Sequence, residues 1–361
     1  MAACWNSCSG TKQRFSWPRA RRLISGISTA VFVLLQVAAR PEIEPPETAL
    51  EVLKSSLASA PRATYSGEKT LWWADRDGNR HQSACRVWQG ADGRSRSDYV
   101  DGTGKLVRIV QREGDRRYVW SAGEDYWSEQ AANGEEGTGW RNIDLIAGNY
   151  GLTRHDTQCL QRPCIMVDAI STAKGRPTLK AVIDAASYTT LVLEVTSALS
   201  GGYGYRFDSI SFEAFDEAVF KIPEGVEIRT GGAAGAGRRE FAEVSQAKGS
   251  VAFGVMEAGR PPAGFSLVEC ILEEGRLRLT YGDGLSTISV YLEKAPPDLR
   301  ERGDGLLALT EVKRDGRTVV WTQRPRSTIL TTFAGTTKAT VIGEIPVEEL
   351  VDMCFSLAPV E

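Results

Sequence analysis

The chain has 361 residues and a formal net charge of −3, since 43 lysines and arginines face 46 aspartates and glutamates. This length suggests two domains, and 42% hydrophobic with 25% charged residues is a globular composition that argues against a disordered or multi-spanning chain. Only two histidines are present, His81 and His155, which excludes histidine-rich metal sites such as the H-E-x-x-H zinc motif.

The first forty residues differ from the rest of the chain in charge. They hold six basic residues and no acid, so residues 41–361 carry a net charge of −9. An acidic body disfavours nucleic acid as a partner, because phosphate binding needs a basic surface. Residues 23–39 are uncharged, with an apolar centre and small residues at the end. The pattern predicts that residues 1–40 are a cleaved signal peptide or a membrane anchor, with the body outside the cytoplasm.

A short helix and a long series of strands follow this leader. Leucines at positions 50, 53 and 57 recur at helical spacing and predict a helix over residues 47–58. From residue 63 the hydrophobic period changes to two, and glycine-containing turns separate the segments, which predicts antiparallel strands joined by tight hairpins. The predicted strands are residues 86–89, 106–110, 116–120, 179–183, 190–195 and 203–210, interrupted by a short helix at 140–149.

Five cysteines follow the leader, at positions 85, 159, 164, 270 and 354. An exported protein can keep disulfides. Cys159 and Cys164 flank a turn-like sequence, so we predict a hairpin closed by a Cys159–Cys164 bridge, while other pairings stay open. Cys270 and Cys354 lie among apolar residues, which is also consistent with buried side chains that form no disulfide.

A stretch rich in glycine and alanine, TGGAAGAG, begins at residue 230 and has no side chain that could anchor a core. We interpret residues 230–243 as a linker between an N-terminal domain, 47–229, and a C-terminal domain, 244–361. The second domain is predicted to be α+β, because a helix at 347–357 follows its strands. These strands are residues 266–270, 276–281, 287–292, 318–323, 329–334 and 338–344.

Aromatic residues concentrate in the first half of the chain, where six of the nine tryptophans fall between positions 72 and 140. Aromatic side chains on alternate strand positions can line an apolar cavity for acyl chains, or they can form core and cross-strand pairs. Neighbouring strand residues face opposite sides, so one of Trp72 and Trp73 must point away from the interior. As a hypothesis, the cavity is lined by Trp72, Trp88, Tyr118, Trp120 and Trp127.

The sequence contains no G-x-S-x-G nucleophile motif and no P-loop. Residues 201–204 are glycine-rich but lie between two predicted strands, so they do not fit a nucleotide-binding fingerprint. His155 and Asp156 could form an acid–base pair, but no nucleophile is marked near them. We therefore predict a non-enzymatic protein with no catalytic residues, no metal and no cofactor.

Three strings in the second domain carry a family resemblance. They are PAGF at residues 262–265, YGDGLSTISVY at 281–291, and VIGEIP at 341–346 before the last helix. They resemble the C-terminal domain of the MucB/RseB family, periplasmic regulators of an envelope-stress sigma factor, with its P-x-G-F, Y-S-D-G-L-x-x-x-S-V-F and V-x-G-E-x-P motifs. In the second motif, Gly282 replaces the usual serine and Tyr291 replaces the usual phenylalanine.

The first domain is similar to the larger, LolA-like lipoprotein-localisation domain of the same family. The similarity is carried by TYSG at residues 64–67, Asn149-Tyr150, the hairpin at 159–167, residues 184–193, and FKIPEG at 220–225. The resemblance implies a mainly β and α+β fold, in which a half-open antiparallel LolA-like β-barrel with plugging helices is joined to a smaller α+β domain.

The resemblance also implies a partner and a ligand. The partner is the extracytoplasmic segment of a membrane-bound anti-sigma factor, which is shielded from proteolysis when bound. The ligand is a lipid, acyl chain or lipoprotein in the aromatic cavity, which releases the partner. We assign the partner surface, as a weaker hypothesis, to the turn residues Tyr281, Asp283, Gly284 and Leu285. A periplasmic lipid or lipoprotein carrier without any sigma-factor role is the alternative.

Overall fold

The computed structural model describes residues 48–60, 62–74, 77–131, 142–199, 201–230, 238–295, 310–324 and 326–360. The predicted leader, residues 1–40, and residues 231–237 of the predicted linker lie outside these ranges. The chain divides into Met1–Glu44 and one compact unit, Pro45–Glu361, and only the second contains described residues. None of the helices within the described ranges is long and apolar enough to cross a membrane.

Twelve strands of the described residues form one sheet. They are β1 Tyr65–Ala74, β2 Arg80–Gln89, β3 Ser95–Val100, β4 Leu106–Glu113, β5 Arg116–Ser121, β6 Tyr126–Ala131, β7 Tyr150–Cys159, β8 Arg162–Ser171, β9 Thr178–Asp184, β10 Thr190–Ser197, β11 Gly201–Ser211 and β12 Glu227–Thr230. The order across the sheet is β12-β6-β5-β4-β3-β2-β1-β11-β10-β9-β8-β7. Neighbours are antiparallel except β12, which pairs with β6 in parallel. The predicted series of hairpins is therefore confirmed.

Two helices cover one face of this sheet at its β7–β11 end. Helix α1, Ala49–Ser59, begins at a capping box formed by Thr48 and Glu51, and α2 spans Ile143–Asn149. Both helices bury apolar side chains against the sheet, because their hydrophobic residues recur on a single face. The buried cluster includes Val52, Leu53, Ile146, Ile165, Val167, Ala181, Leu193 and Val195. We call this the inner face of the sheet.

The chain crosses the opposite, outer face on its way from β11 to β12. Its 3₁₀ turn Glu217–Phe220 is tied to the sheet by two side chains: Arg96 donates to the carbonyl oxygen of Val219, and Gln111 donates to that of Phe220. Segment 212–226 therefore covers the outer face of strands β2–β6, while the helices cover the inner face of β7–β11.

The remaining ten described strands form a second sheet of eight strands and a separate pair. They are β13 Arg239–Glu240, β14 Met256–Ala258, β15 Ser266–Glu273, β16 Arg276–Gly282, β17 Thr287–Lys294, β18 Thr310–Arg314, β19 Arg317–Gln323, β20 Thr328–Ala334, β21 Thr337–Gly343 and β22 Leu357–Pro359. The sheet order is β13-β15-β16-β17-β21-β20-β19-β18, and β14 pairs with β22 separately. A 3₁₀ helix spans Val244–Ser250, and α3, Val347–Ser356, buries Leu350, Val351, Met353 and Cys354.

The predicted fold class is confirmed, since the large sheet is a half-open antiparallel barrel with helices against its inner face and the second sheet is part of a smaller α+β unit. The described strands of the first sheet lie within residues 65–230, and those of the second within 239–343. The bounds assigned to the two domains and to the linker stay predictions.

Candidate functional site

The strand register determines which face each aromatic side chain occupies. Directly paired residues share a face, and neighbours along a strand alternate. Leu193 of β10 packs with the helices on the inner face and pairs with Tyr205 of β11. Tyr205 in turn pairs with Leu71 of β1, so Leu71 is also on the inner face. Trp72 follows Leu71 and therefore lies on the outer face. The same reasoning through the pairs of β2–β6 places Trp88, Tyr118, Trp120 and Trp127 on the outer face.

Three of these five aromatic residues form one cluster. Tyr118 and Trp127 are 8% and 3% exposed and pack with Ile109 and Trp120. Ile222 and Val226 of the crossing segment complete the cluster. The structure therefore brings Tyr118, Trp120 and Trp127 together beneath segment 212–226, where they serve as a small hydrophobic core.

Trp72 lies apart from that cluster. Its ring covers Gly202 and Gly204 of β11, and a Cβ added to Gly204 would lie 2.9 Å from the Trp72 indole nitrogen. The Arg80 guanidinium stacks over the Trp72 ring at 4.4 Å from its centroid. On the inner face, Trp73 is 39% exposed and stacks on His81 at 5.3 Å between centroids. Trp88, which is half-buried, is paired with Arg96 of β3.

The inner face of β1, β2, β3 and β11 carries a site that the aromatic hypothesis did not include. We call it the inner recess and define it by Tyr65, Lys69, Leu71, Cys85, Tyr99, Tyr205 and Phe207, which share this face by register. Its rings meet edge to face: Tyr65 lies 5.8 Å from Phe207, and Tyr205 lies 6.3 Å from Phe207. Aromatic edge-to-face pairs of this spacing are stabilising.

Lys69 places a positive charge in this aromatic surrounding. Its Nζ lies 4.8 Å from the Tyr205 ring centroid and 5.2 Å from that of Phe207. Burial lowers the pKa of Lys69 and raises that of Tyr65 to about 12, because both charged forms are poorly solvated there. Each of these side chains nevertheless remains half-buried rather than fully buried. Phe207 and Cys85 on the same face are 4% and 2% exposed and belong to the packed core, so Lys69 and Tyr65 lie at the partly exposed margin of a buried cluster.

The turn between β16 and β17 is folded against the first sheet. Asp283 is 1% exposed, and one oxygen of its carboxylate accepts a 2.9 Å hydrogen bond from the Tyr150 hydroxyl. Its other oxygen accepts the backbone N–H groups of Leu285 and Ser286 at 3.0 and 2.7 Å. Burial, together with the negative charge of Asp283, raises the pKa of Tyr150 well above its usual range.

Arg176, in the loop between β8 and β9, connects the same turn to α3. Its Nε lies 3.4 Å from the Asp283 carboxylate, and its Nη2 lies 2.7 Å from that of Glu349. The guanidinium also stacks over the Phe265 ring at 4.9 Å. Asn149 donates from its side-chain amide to the carbonyl oxygens of Gly264 and Asp283, at 2.8 and 3.0 Å.

These contacts join the two sheets. We call the seven residues that make them the junction: Asn149, Tyr150, Arg176, Gly264, Asp283, Gly284 and Glu349. The structure places the predicted partner-surface residues in or beside it, with Tyr281 and Asp283 buried and Gly284 and Leu285 half-buried. Tyr281 accepts the Ala258 N–H at its hydroxyl, and Leu285 packs with the inner-face core of the first sheet. The turn thus packs against other parts of the same chain.

Cys159 and Cys164 lie on the predicted hairpin, whose turn residues Leu160 and Gln161 have φ values of 51° and 61°. Both cysteines are free thiols, and the Cys164 sulfur lies 3.9 Å from the Cys159 carbonyl oxygen. Burial raises the pKa of both thiols, that of Cys164 to about 11. The hairpin is confirmed, and the bridge stays a prediction.

The sequence matches no protein-family model and no curated protein. Two solved structures share its fold over nearly their whole length. The MucA/MucB complex of Pseudomonas aeruginosa is 17% identical with a TM-score of 0.53, and it covers 87% of this chain and 99% of that chain. A structure of MucB in complex with MucA(peri) is 16% identical with a TM-score of 0.51 and the same coverage. The chain has the fold of MucB.

The resemblance inferred from the sequence is therefore confirmed at the level of the fold. The match with MucB includes both sheets, since it covers 87% of this chain. Several motifs that carried the resemblance meet at the junction: Asn149-Tyr150, the PAGF string with Gly264, and the glycine turn with Asp283. These short strings, distant in the chain, therefore build one contact between the two sheets.

Proposed function

We propose that the protein is a non-enzymatic, extracytoplasmic regulator that binds the extracytoplasmic segment of a membrane-bound anti-sigma factor. A lipid, acyl chain or lipoprotein ligand controls this binding and so modulates an envelope-stress sigma factor. The proposal is supported by the MucB fold, found here over 87% of the chain, and by the two solved structures in which MucB is bound to MucA.

The observation that carries the proposal is that the match extends beyond the first sheet. A lipid carrier would need only the half-open barrel, whereas this chain also has the eight-stranded sheet and the junction that fixes it to the barrel. The basic leader followed by an uncharged stretch supports an extracytoplasmic location. A regulator therefore accounts for more of the molecule than a carrier does.

Control by a ligand is a population shift between a partner-bound and a released state. The ligand has to bind the released state more tightly than the complexed one, because equal affinities would shift nothing. Two places could take it: the outer-face aromatics assigned from sequence, Trp72, Trp88, Tyr118, Trp120 and Trp127, and the inner recess. They lie on opposite faces of one sheet, so substitutions can separate them.

A pull-down from solubilised membranes of the source organism, with the purified full chain as bait, tests the partner. We expect recovery of a single-span protein encoded beside a sigma factor, and direct binding of its extracytoplasmic segment by calorimetry. Adding a single-chain acyl ligand should weaken that binding. Recovery of lipoproteins alone would support the carrier and overturn the regulatory proposal.

A further inference from the structure

Strand β7 is a free edge of the twelve-stranded sheet. It pairs with β8 over ten residues without a bulge, and no described residue pairs with its other side. Residues 151–158 are exposed or half-buried, and none of them is proline. Proteins usually shorten, bulge or cover such an edge, because its unpaired N–H and C=O groups are a template for another strand. A long edge without these protections indicates a partner strand.

The turn of the β7–β8 hairpin determines which backbone groups of β7 are free. Leu160 and Gln161 form a two-residue turn with positive φ values, so the flanking residues Cys159 and Arg162 are a hydrogen-bonded pair. Bonded and non-bonded pairs alternate along an antiparallel ladder, so the odd-numbered residues of β7 bond to β8. The open edge receives the backbone groups of Leu152, Arg154, Asp156 and Gln158.

Two charged side chains make this edge complementary to itself. Arg154 and Asp156 both lie on the inner face of β7, with 3.2 Å between guanidinium and carboxylate. In an antiparallel pairing with a second copy, a two-fold axis through His155 brings Arg154 of each copy directly opposite Asp156 of the other. Both residues offer free backbone groups, so the ladder can form in this register. An axis through Arg154 or Asp156 would oppose like charges, which is destabilising.

The outer face adds an apolar contact to the same arrangement. Ile170 of β8 is 56% exposed and pairs with Gly151 of β7, which has no side chain to cover it. The axis through His155 brings the hairpin end of the second copy beside Gly151, and Leu160 at that end is 37% exposed. Pairing of two copies therefore removes apolar surface from water that one copy leaves exposed.

Strand β18, at the edge of the second sheet, has a similar alternation of charges on a shorter strand. Its Glu311 and Lys313 form an exposed ion pair of 2.8 Å. The strand has five described residues, half as many as β7, so it offers fewer free backbone groups to a partner. The longer ladder favours β7, and β18 provides a matched control.

We propose that the β7 edges of two copies of this chain pair antiparallel around His155, so that their twelve-stranded sheets become one continuous sheet. Two ion pairs set the register, each from Arg154 of one copy to Asp156 of the other. The interface does not depend on the proposed function, because it uses neither a lipid ligand nor an anti-sigma partner. Each copy contributes a single strand, so we expect a weak dimer that depends on protein concentration.

Sedimentation velocity of the full chain at increasing concentration tests the pairing. The wild-type protein should form a dimer. Arg154→Asp and Asp156→Arg should each weaken the dimer by at least about tenfold, because each variant places like charges opposite one another twice. The double variant Arg154→Asp/Asp156→Arg should recover most of the affinity, since it only exchanges the two partners. Circular dichroism and thermal unfolding verify that each variant is folded, and Lys313→Glu on β18 should leave the dimer unchanged.

Cysteine cross-linking locates the axis. His155→Cys should give a covalent dimer on mild oxidation, because residue 155 faces its own copy in a closely spaced non-hydrogen-bonded pair. Thr153→Cys is the matched control, since Thr153 faces Thr157 of the other copy, and the wild-type protein gives the background from the native cysteines.

Three results would overturn the proposal. The first is a wild-type protein that stays monomeric at every concentration. The second is a dimer that Arg154→Asp leaves unchanged, because the interface then lies elsewhere. The third is equal cross-linking of His155→Cys and Thr153→Cys, which would exclude an axis through His155.

Discussion

The Tyr150 hydroxyl donates a 2.9 Å hydrogen bond to the carboxylate of Asp283, joining the first residue of β7 to the turn that follows β16. This contact links two sheets that share no strand. Arg176 adds a buried ion pair to the same carboxylate. Removing one member of such a pair leaves a buried charge without its partner, which costs about 3–5 kcal/mol. The junction therefore holds the relative placement of the two sheets.

Tyr150→Phe should destabilise the protein by about 1.5–3 kcal/mol, the usual value of a hydrogen bond to a charged group. Tyr291→Phe is a matched control, because Tyr291 is half-buried in β17 of the second sheet. Urea unfolding followed by tryptophan fluorescence measures both free energies of unfolding. Equal losses in the two variants would show that the Tyr150–Asp283 bond contributes nothing specific.

Gly284→Ala should be far more costly than Gly275→Ala, although both glycines have positive φ values, 109° and 74°. A Cβ on Gly284 would lie 2.6 Å from the backbone nitrogen of Ile146, whereas one on Gly275 would meet no atom within 4 Å. We expect a loss of about 1 kcal/mol for Gly275→Ala from backbone strain alone, and at least about twice that for Gly284→Ala.

Thermal unfolding of both glycine variants gives the comparison directly. Because Gly284 touches α2, its substitution should also loosen the contact between the sheets and increase cleavage by a protease added to the folded protein. If Gly284→Ala is no more harmful than Gly275→Ala, the turn does not pack against α2 as described.

The fold was largely predictable from the sequence because its signals are local. Period-two segments and glycine turns located the strands, and the leucines of α1 located the first helix within two residues of its observed start at Ala49. The faces of the aromatic residues were not predictable, because they depend on which strands pair and in what register. The burial of Asp283 depends on contacts more than 130 positions away in the chain.

Lys69 did carry a local signal. It occupies the same strand phase as Tyr65, Leu71 and Trp73, so it is a lysine among apolar and aromatic positions of β1. A charged residue on the apolar phase of a strand indicates either an edge or a site. What sequence could not show is that Tyr205 and Phe207, more than 130 residues later, lie beside it.

The stability contributed by the contact between Arg162 and Asp184, next to the β7–β8 hairpin, should decrease on acidification. Burial alone would raise the pKa of Asp184, but hydrogen bonds from Arg162 and Ser187 outweigh it and lower that pKa below the usual value. A carboxyl group with a lowered folded pKa stabilises the protein above its unfolded pKa of about 3.9, and this contribution disappears as the pH falls through the folded value.

The free energy of unfolding lost in Arg162→Met should therefore be larger at pH 7 than at a pH low enough to protonate Asp184 in the folded protein. Arg206→Met is the control, because Arg206 and Asp208 form an exposed ion pair that contributes about 0–1 kcal/mol. Urea unfolding at several pH values measures both differences. A loss for Arg162→Met that does not change with pH would contradict the role given to Asp184.

Export should oxidise Cys159 and Cys164 to a disulfide that closes the β7–β8 hairpin. Cys159 pairs with Arg162 and Cys164 with Thr157, so the two cysteines are diagonal neighbours on one face of the hairpin. Diagonal neighbours lie about 7–8 Å apart, whereas a disulfide needs Cβ atoms about 3.5–4.5 Å apart, so the bridge requires the backbone of the Leu160–Gln161 turn to move. Mass spectrometry of protein purified from the exported fraction, digested without reduction, should show the two cysteines in one linked peptide.

Cys85 serves as an internal reference for this experiment. It is buried on β2 and its thiol pKa is raised to about 11 by burial, so it should stay reduced and unreactive in the folded protein. In a Cys159→Ser variant, Cys164 should become open to alkylation only slowly, because burial also raises its pKa to about 11. Alkylation of both hairpin cysteines in exported wild-type protein would rule the bridge out, and the hairpin would then be held by the pairing of β7 with β8 without a covalent link.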